Sequence, residues 1–291
     1  MVIVVDEFKN NLINNPGFRV FVFLITLLFC LLAGSVITLF LMGDTNQLRI
    51  GQGISYALIF MAPPLILYGI TRQQPLRQLG FCKPCSAWLL LIGVVVVFVS
   101  LPLTNLLTSW NEKMSFGPAL ESLERLLQQL EEKAGNLTED MLHANNMGEL
   151  MLNLLVLALI PAIGEELTFR GVLQQALTRG IKNAHVAIVL SAAIFSFIHF
   201  QFYGFLPRMF LGLLLGYLFY YSGSLWPSIL MHFVNNGTAV VLAYLDYKGM
   251  ADVDVDHFGS TTSLPLLIAS LVVTLGLIVL SSKIKYKYGR K

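Results

Sequence analysis

Charged residues are scarce in this chain. Asp, Glu, Lys and Arg make up only 12% of its 291 residues, whereas about 25% is usual in a soluble domain. Apolar residues reach 56%, and the mean hydropathy is +0.71. The shortage of charge and the apolar excess together predict an integral membrane protein surrounded by the lipid bilayer.

A strong net charge is also lacking, since the formal value at pH 7 is +2. Apart from the short tail 283–291, the chain contains no basic patch with interleaved aromatic residues, which a nucleic-acid-binding surface would need to neutralise phosphates. We therefore expect no nucleic-acid partner.

Cysteine is rare, with three residues in the whole chain. Cys30 stands within an apolar run and is expected to pack there. Cys82 and Cys85 form a CxxC pair in a polar connection, and a lone pair of this kind is weak evidence for a metal or redox site. The role of Cys82 and Cys85 stays open.

Long apolar runs are abundant, and a membrane-spanning helix needs about 20 mostly apolar residues. The sequence predicts an all-α, polytopic membrane protein with about eight transmembrane helices, forming a single transmembrane domain over residues 1–291. No internal repeat stands out, so the repeated halves of many transporters are missing. The predicted spans are 18–42, 54–71, 86–109, 149–170, 185–201, 207–222, 226–246 and 263–282.

The connection between the third and fourth spans, residues 110–148, is too polar to cross a membrane. Its leucines recur every three or four residues with charges between them, which predicts one amphipathic helix. Two interpretations stay open: a helix on the membrane surface, or a lid over a substrate entrance. The leucines are Leu120, Leu123, Leu127 and Leu130.

Lys and Arg are distributed unevenly between the connections, and cytoplasmic loops carry the excess of these residues. If the N-terminus is cytoplasmic, the acidic stretches at 121–140 and 246–257 fall outside. The pattern therefore predicts that both termini are cytoplasmic. The cytoplasmic cations are then Arg72, Arg77, Lys83, Arg179, Lys182 and those of the tail 283–291.

Ionisable groups inside the membrane are concentrated in the second half of the chain. Because a charge in hydrocarbon is costly, such groups are functional candidates by default. A single residue of this kind often only packs against a neighbouring helix, but the whole set is hard to explain by packing. The set comprises Glu165, Glu166, Arg170, His199, His232 and Asn236.

Helix geometry sorts these residues. Adjacent residues lie about 100° apart on a helix, so Glu165 and Glu166 point in different directions. Glu166 and Arg170 are four residues apart and are predicted to form a supporting ion pair, which leaves Glu165 free for chemistry. The turn at 180–184 lies midway between Glu165 and His199, so an antiparallel hairpin would bring these two side chains to one height.

His232 and Asn236 also stand four residues apart, as do Phe195 and His199. Each pair is therefore expected on one face of its helix. Three segments thus offer polar groups that could meet at one point.

These residues resemble the motifs of the type II CAAX prenyl protease family, also called the CPBP or Abi family of intramembrane proteases. That family carries EExxxR, FxxxH and HxxxN in this order. Here the motifs read EELTFR at 165–170, FSFIH at 195–199 and HFVNN at 232–236. We take residues 149–246, over which the resemblance extends, as the catalytic core region.

The resemblance implies an eight-helix membrane fold and an enzyme, a hydrolase that cleaves peptide bonds within the bilayer. Its implied partner is a peptide or protein substrate. Eukaryotic members trim the last three residues from lipidated (prenylated) CAAX proteins, whereas bacterial members are linked to peptide processing, bacteriocin immunity and maturation. We expect this chain in the cell membrane of a bacterium, and the substrate stays open.

Two mechanisms stay open under this resemblance. In the first, Glu165 acts as general base and His199 helps to orient the water, without a cofactor. His232 and Asn236 then donate hydrogen bonds to the oxyanion. In the second, Glu165, His199 and His232 bind zinc as in a metalloprotease, although HExxH is absent. We favour the metal-free arrangement because Asn236 is a poor zinc ligand and a good oxyanion donor.

Two functions of other classes stay open. A proton-coupled transporter would also keep Glu and His side chains inside the membrane. A non-catalytic immunity or scaffold protein would tolerate the loss of Glu165, whereas a protease would not.

Overall fold

The computed structural model describes residues 15–41, 43–70, 74–81, 83–255 and 257–284. Arg72, Cys82 and the end of the basic tail lie outside these residues, so the predictions that rest on them stay predictions. The orientation of both termini in the membrane likewise stays a prediction.

The described residues form helices and connections, without a strand, which confirms the all-α prediction. Ten helices occur in this part of the chain, and a single 3-10 turn at Pro118–Leu120 precedes the fifth. The helices are α1 Pro16–Phe40, α2 Thr45–Ile70, α3 Pro75–Gln78, α4 Ala87–Glu112, α5 Glu121–Leu142, α6 Met147–Ile181, α7 Ala184–Phe197, α8 Phe205–Ser222, α9 Trp226–Tyr247 and α10 Leu264–Lys283.

Six of the described helices are long and apolar enough to cross a membrane, namely α1, α2, α4, α6, α9 and α10. This confirms the prediction of a polytopic membrane protein. The amphipathic helix predicted between the third and fourth spans is also present, as α5.

Helix α7 is shorter than the span predicted at 185–201. It has 14 residues, about 21 Å at 1.5 Å per residue, whereas the hydrocarbon core is about 30 Å thick. It ends at Phe197, and Phe200 adopts a left-handed backbone conformation with a φ of 53°. The prediction of a helix that continues to residue 201 is therefore wrong, and His199 lies in the connection to α8.

Helix α2 begins at Thr45, earlier than the predicted residue 54. Thr45, Asn46 and Gln47 of its first turn are polar and exposed, whereas Arg49 is only 1% exposed. Arg49 donates through Nε to the carbonyl oxygen of Met141 at 3.0 Å and through Nη2 to that of His143. These carbonyl groups at the end of α5 thereby gain partners, and Arg49 joins the start of α2 to α5.

Helix α6 carries the two adjacent glutamates. Its central α-helical segment, Ile160–Glu166, lies between two π-helical segments, Leu154–Leu159 and Leu167–Gln174. Such π-helical turns are rare and occur frequently at functional sites. The helix continues to Ile181, beyond the predicted span end at 170, and α7 begins after a turn at the predicted position.

Three buried apolar clusters occur among the described residues, and the two larger ones hold the membrane helices together. One joins α2, α6, α8 and α9 around Leu67 and Leu167. The other joins α4, α8, α9 and α10 around Val96 and Leu215. Helices α8 and α9 contribute to both clusters, and they thereby determine the position of His232 relative to α6.

Candidate active site

Glu165 and Glu166 are both buried, with exposures of 2% and 0%. Oε1 of Glu166 lies 2.6 Å from Nη1 of Arg170, which confirms the predicted ion pair. Arg170 is 1% exposed, and its Nη2 donates to the carbonyl oxygen of Gly212 on α8 at 3.0 Å. The pair therefore connects α6 to α8, and each buried charge has the partner that its burial requires.

Glu166 also orients His232, a contact that the sequence did not predict. Nδ1 of His232 lies 3.0 Å from Oε1 of Glu166, and because an ionised carboxylate only accepts, Nδ1 carries the hydrogen. Nε2 of the same ring lies 3.6 Å from Oε2 of Glu165. Glu166 thus sets the orientation in which His232 presents Nε2 to Glu165.

His199 approaches Glu165 from the connection after α7. Its Nε2 atom lies 3.8 Å from Oε1 of Glu165, and its Nδ1 atom lies 2.7 Å from the carbonyl oxygen of Phe195. Since a carbonyl oxygen only accepts, Nδ1 donates and Nε2 is the nitrogen that faces the carboxylate. The equal height predicted for Glu165 and His199 is confirmed, although His199 follows its helix rather than continuing it.

Phe195 packs against both histidines. Its side chain is buried, and its ring centroid lies 5.1 Å from that of His199 and 6.1 Å from that of His232, both at steep angles. The guanidinium carbon of Arg170 lies 4.9 Å from the same centroid, within the range of a cation–π interaction. One apolar residue thus positions three polar side chains.

Asn236 lines the same cavity as His232, on the same helix. Its Nδ2 atom donates to the carbonyl oxygen of Leu157 at 3.4 Å, and its Oδ1 atom accepts from Nδ2 of Asn235 at 3.1 Å. The hydrogen bonds of the described residues do not join Asn236 to Glu165 or to either histidine. The structure therefore places Asn236 on the cavity wall but outside the cluster of acid and imidazoles.

Several polar residues that line this cavity were not predicted, and Tyr56 and Arg208 are two of them. Tyr56 on α2 donates its hydroxyl hydrogen to Oε1 of Glu165. Arg208 on α8 lines the cavity, and its Nη2 atom lies 2.6 Å from Oε1 of Gln201. Tyr56 is one aromatic residue in an apolar run and gives no local signal, whereas Arg208, a cation inside a predicted span, could have been found by the rule applied to the other charges.

The cavity has a volume of about 810 Å³ and lies between α2, α4, α6, α8 and α9. The end of α5 also lines it, through Leu137 and Met141. Leu123 and Leu130 of α5 are exposed. An amphipathic helix that borders the cavity and also exposes leucines suits both the lid and the membrane-surface interpretation, and these two interpretations do not exclude each other.

Two imidazole nitrogens and one carboxylate are the donors of a catalytic zinc site. Nε2 of His199 and Nε2 of His232 both face Glu165, which suits that chemistry. Nevertheless, within the part of the chain that the structure describes, no group of three or more His, Cys, Asp or Glu side chains is arranged to hold a metal ion. The choice between the metal-free and the zinc arrangement stays a prediction.

Residues 147–238 match the model of a protein family described as Rce1-like, type II CAAX prenyl endopeptidase Rce1-like. The matched segment covers less than half of the chain and contains all three motifs. It confirms the resemblance that those motifs indicated. No match was found among curated proteins or among solved structures.

Proposed function

We propose that this membrane protein is an intramembrane endopeptidase, because residues 147–238 match the model of the Rce1-like family, a family of proteases. Its substrate class is a peptide or protein, including lipidated ones. One observation carries the proposal. Glu165 lies 3.8 Å from Nε2 of His199 and 3.6 Å from Nε2 of His232, and the three residues come from separate segments around one cavity.

Glu165 is the general base of the proposed reaction. Tyr56 holds its Oε1 atom, whereas Oε2 accepts no hydrogen bond from the described residues. A water that donates one hydrogen to Glu165 and the other to Nε2 of His199 keeps its lone pairs for the substrate carbonyl. Two acceptors held by protein contacts thus orient the nucleophile before the reaction begins.

His232 and Asn236 stabilise the oxyanion in this proposal. Nδ1 of His232 donates to Glu166, so the ring donates to substrate only when Nε2 also carries a hydrogen. The amide of Asn236 has two hydrogens and uses one on Leu157, which leaves the other for the oxyanion.

The proposed hydrolysis needs no covalent bond between the enzyme and the substrate. Water adds to the carbonyl carbon and gives its proton to Glu165, which then transfers that proton to the leaving amine as the C–N bond breaks. The products are a carboxylic acid and an amine. Ser196 lies close to His199 in sequence, but its Oγ donates to the carbonyl oxygen of Phe205 at 2.7 Å, so it is engaged in the fold.

The proposal is tested by cleavage of a quenched fluorescent peptide library by the purified full-length protein. Glu165→Gln and His199→Ala should each lower the rate by about 10²-fold or more. The control is Glu121→Gln, an exposed carboxylate on α5, which should leave the rate unchanged. Cleavage by both active-site variants at the wild-type rate would overturn the assignment. If the protein is a transporter or a scaffold, the wild type should not cleave the peptides.

A further inference from the structure

A second cavity, of about 510 Å³, is lined mainly by cations. Seven described residues line it, of which four are Arg or Lys and three are Gln, without an Asp or Glu among them. We call it the basic pocket. Its residues are Arg19, Arg77, Lys83 and Arg179, with Gln74, Gln78 and Gln175.

The four cations come from four separate places in the chain. Arg19 lies at the start of α1, Arg77 in α3 just after α2, Lys83 in the connection before α4, and Arg179 at the end of α6. Helices α1, α2, α4 and α6 are successive candidate spans, and successive spans cross in opposite directions. All four cations therefore lie at the same membrane face, which the Lys and Arg distribution predicts to be cytoplasmic.

The residues that the structure describes place no counter-charge at this pocket. Among the described residues, no carboxylate lies within 4 Å of any of the four cations. The contacts that do occur are neutral: Nη1 of Arg77 lies 3.4 Å from Oε1 of Gln74, and the guanidinium carbon of Arg19 lies 5.6 Å from the ring centroid of Tyr68. Like charges gathered around one cavity repel each other, and an anion bound between them removes that repulsion.

Protein contacts build the walls of the basic pocket. Oγ of Ser224 donates to the carbonyl oxygen of Lys83 at 2.7 Å, and Nε2 of Gln175 donates to the carbonyl oxygen of Gln78 at 3.1 Å. Leu79, the residue after Gln78, is 0% exposed and belongs to the first apolar cluster. The backbone that bears Lys83 and Arg77 is thus fixed by hydrogen bonds and by apolar packing.

We propose that the basic pocket binds a phosphate group, that of an anionic lipid head group at the cytoplasmic face of the membrane. Phosphate oxygens accept hydrogen bonds, and the guanidinium of Arg matches two of them at once. Basic pockets between membrane helices at this face are suited to acidic head groups. This binding is separate from the proposed peptidase reaction and does not depend on it.

The test compares two double variants of the full-length protein that lose equal charge. Arg77→Gln with Arg179→Gln removes two cations of the pocket, and Lys182→Gln with Lys283→Gln removes two exposed cations at the same predicted face outside it. Binding of phosphatidylglycerol is measured in micelles by native mass spectrometry. We expect the pocket variant to bind roughly thirtyfold more weakly than the wild type and the control variant to bind like the wild type.

Two further measurements complete the test. In neutral phosphatidylcholine nanodiscs the pocket variant should unfold at the wild-type temperature or above, because it loses repulsion and no ion pair. If inorganic phosphate displaces the lipid, the phosphate group by itself is what the pocket recognises. If it does not, the pocket recognises the phosphate only as part of the intact lipid. Equal binding by the pocket variant and the wild type, or equal weakening by both double variants, would overturn the proposal.

Discussion

Nδ1 of His232 and Nη1 of Arg170 approach the same oxygen, Oε1 of Glu166, at 3.0 and 2.6 Å. One buried carboxylate oxygen thus serves both an ion pair within α6 and an imidazole from α9. The Glu166–Arg170 pair is therefore part of the active-site geometry, because it holds the acceptor that orients His232.

Glu166→Gln should lower both stability and activity. The substitution leaves Arg170 buried without its counter-charge, and breaking a buried pair costs about 3–5 kcal/mol. Arg170→Lys keeps the charge and should retain more of both properties. Thermal unfolding and peptide cleavage, measured side by side, check this prediction. Wild-type values of both quantities in Glu166→Gln would contradict it.

Tyr56→Phe should slow cleavage without unfolding the protein. The ring stays in place, but Glu165 loses a hydrogen bond to its Oε1 atom, and a bond to a charged group contributes about 1.5–3 kcal/mol. We expect a kcat about tenfold to a hundredfold lower. The control is Tyr217→Phe, whose hydroxyl lies 3.1 Å from Nδ1 of His185 outside the site. A kcat equal to that of the wild type would remove Tyr56 from the mechanism.

Gly164→Ala should destabilise the contact between α2 and α6. A Cβ atom at Gly164 would lie 2.9 Å from Cβ of Phe60, so the helices must separate, at a cost of about 1–3 kcal/mol. Gly276→Ala on α10 is the matched control, since no atom lies within 4 Å of its added Cβ. The control should be neutral or stabilising, because Ala favours helix more than Gly does. The unfolding midpoints of both variants are compared with that of the wild type. A midpoint of Gly164→Ala equal to or above that of the wild type would contradict the prediction.

The contact between α5 and the connection that carries His199 should weaken in acid. Tyr203, in that connection, donates its hydroxyl hydrogen to Oε1 of Glu124 at 3.2 Å. A hydrogen bond from Ser115 lowers the pKa of Glu124, and the bond from Tyr203 adds to this effect. A lowered pKa means that the contact is present above the ordinary pKa of a glutamate and is lost as pH falls through the lowered value.

Hydrogen exchange of the α5 amides, followed from neutral pH into acid, measures this loss. In Glu124→Gln the carboxylate is absent, so α5 should exchange faster already at neutral pH and show less dependence on pH. Exchange of α5 that is equally slow in both proteins at neutral pH would show that Glu124 does not hold the helix.

Chelation distinguishes the two mechanisms. In the metal-free arrangement, cleavage by the purified protein should be unchanged after prolonged treatment with a zinc chelator. Metal analysis of the active protein should then give no stoichiometric zinc. Loss of cleavage on chelation, restored by added zinc, would replace the metal-free mechanism with the one in which Glu165, His199 and His232 are ligands.

The membrane class, most helix positions and the polar set were predictable from the sequence by itself. Hydropathy is summed over neighbouring residues, so a run such as that of α4 identifies a span wherever it stands in the fold. The Glu166–Arg170 pair and the level of His199 follow from the spacing of residues on a helix and from one short turn. These are local properties, and local properties can be read along a chain.

Only the tertiary structure decided which side chains meet. Tyr56 contacts Glu165 across 109 positions of sequence, and His232 contacts Glu166 across 66, so no local pattern contains either contact. Arg49, near the polar start of α2, likewise binds carbonyl groups at the end of α5, across 92 and 94 positions of sequence. Distances of this kind depend on how helices pack in three dimensions, since packing joins surfaces that the chain keeps far apart.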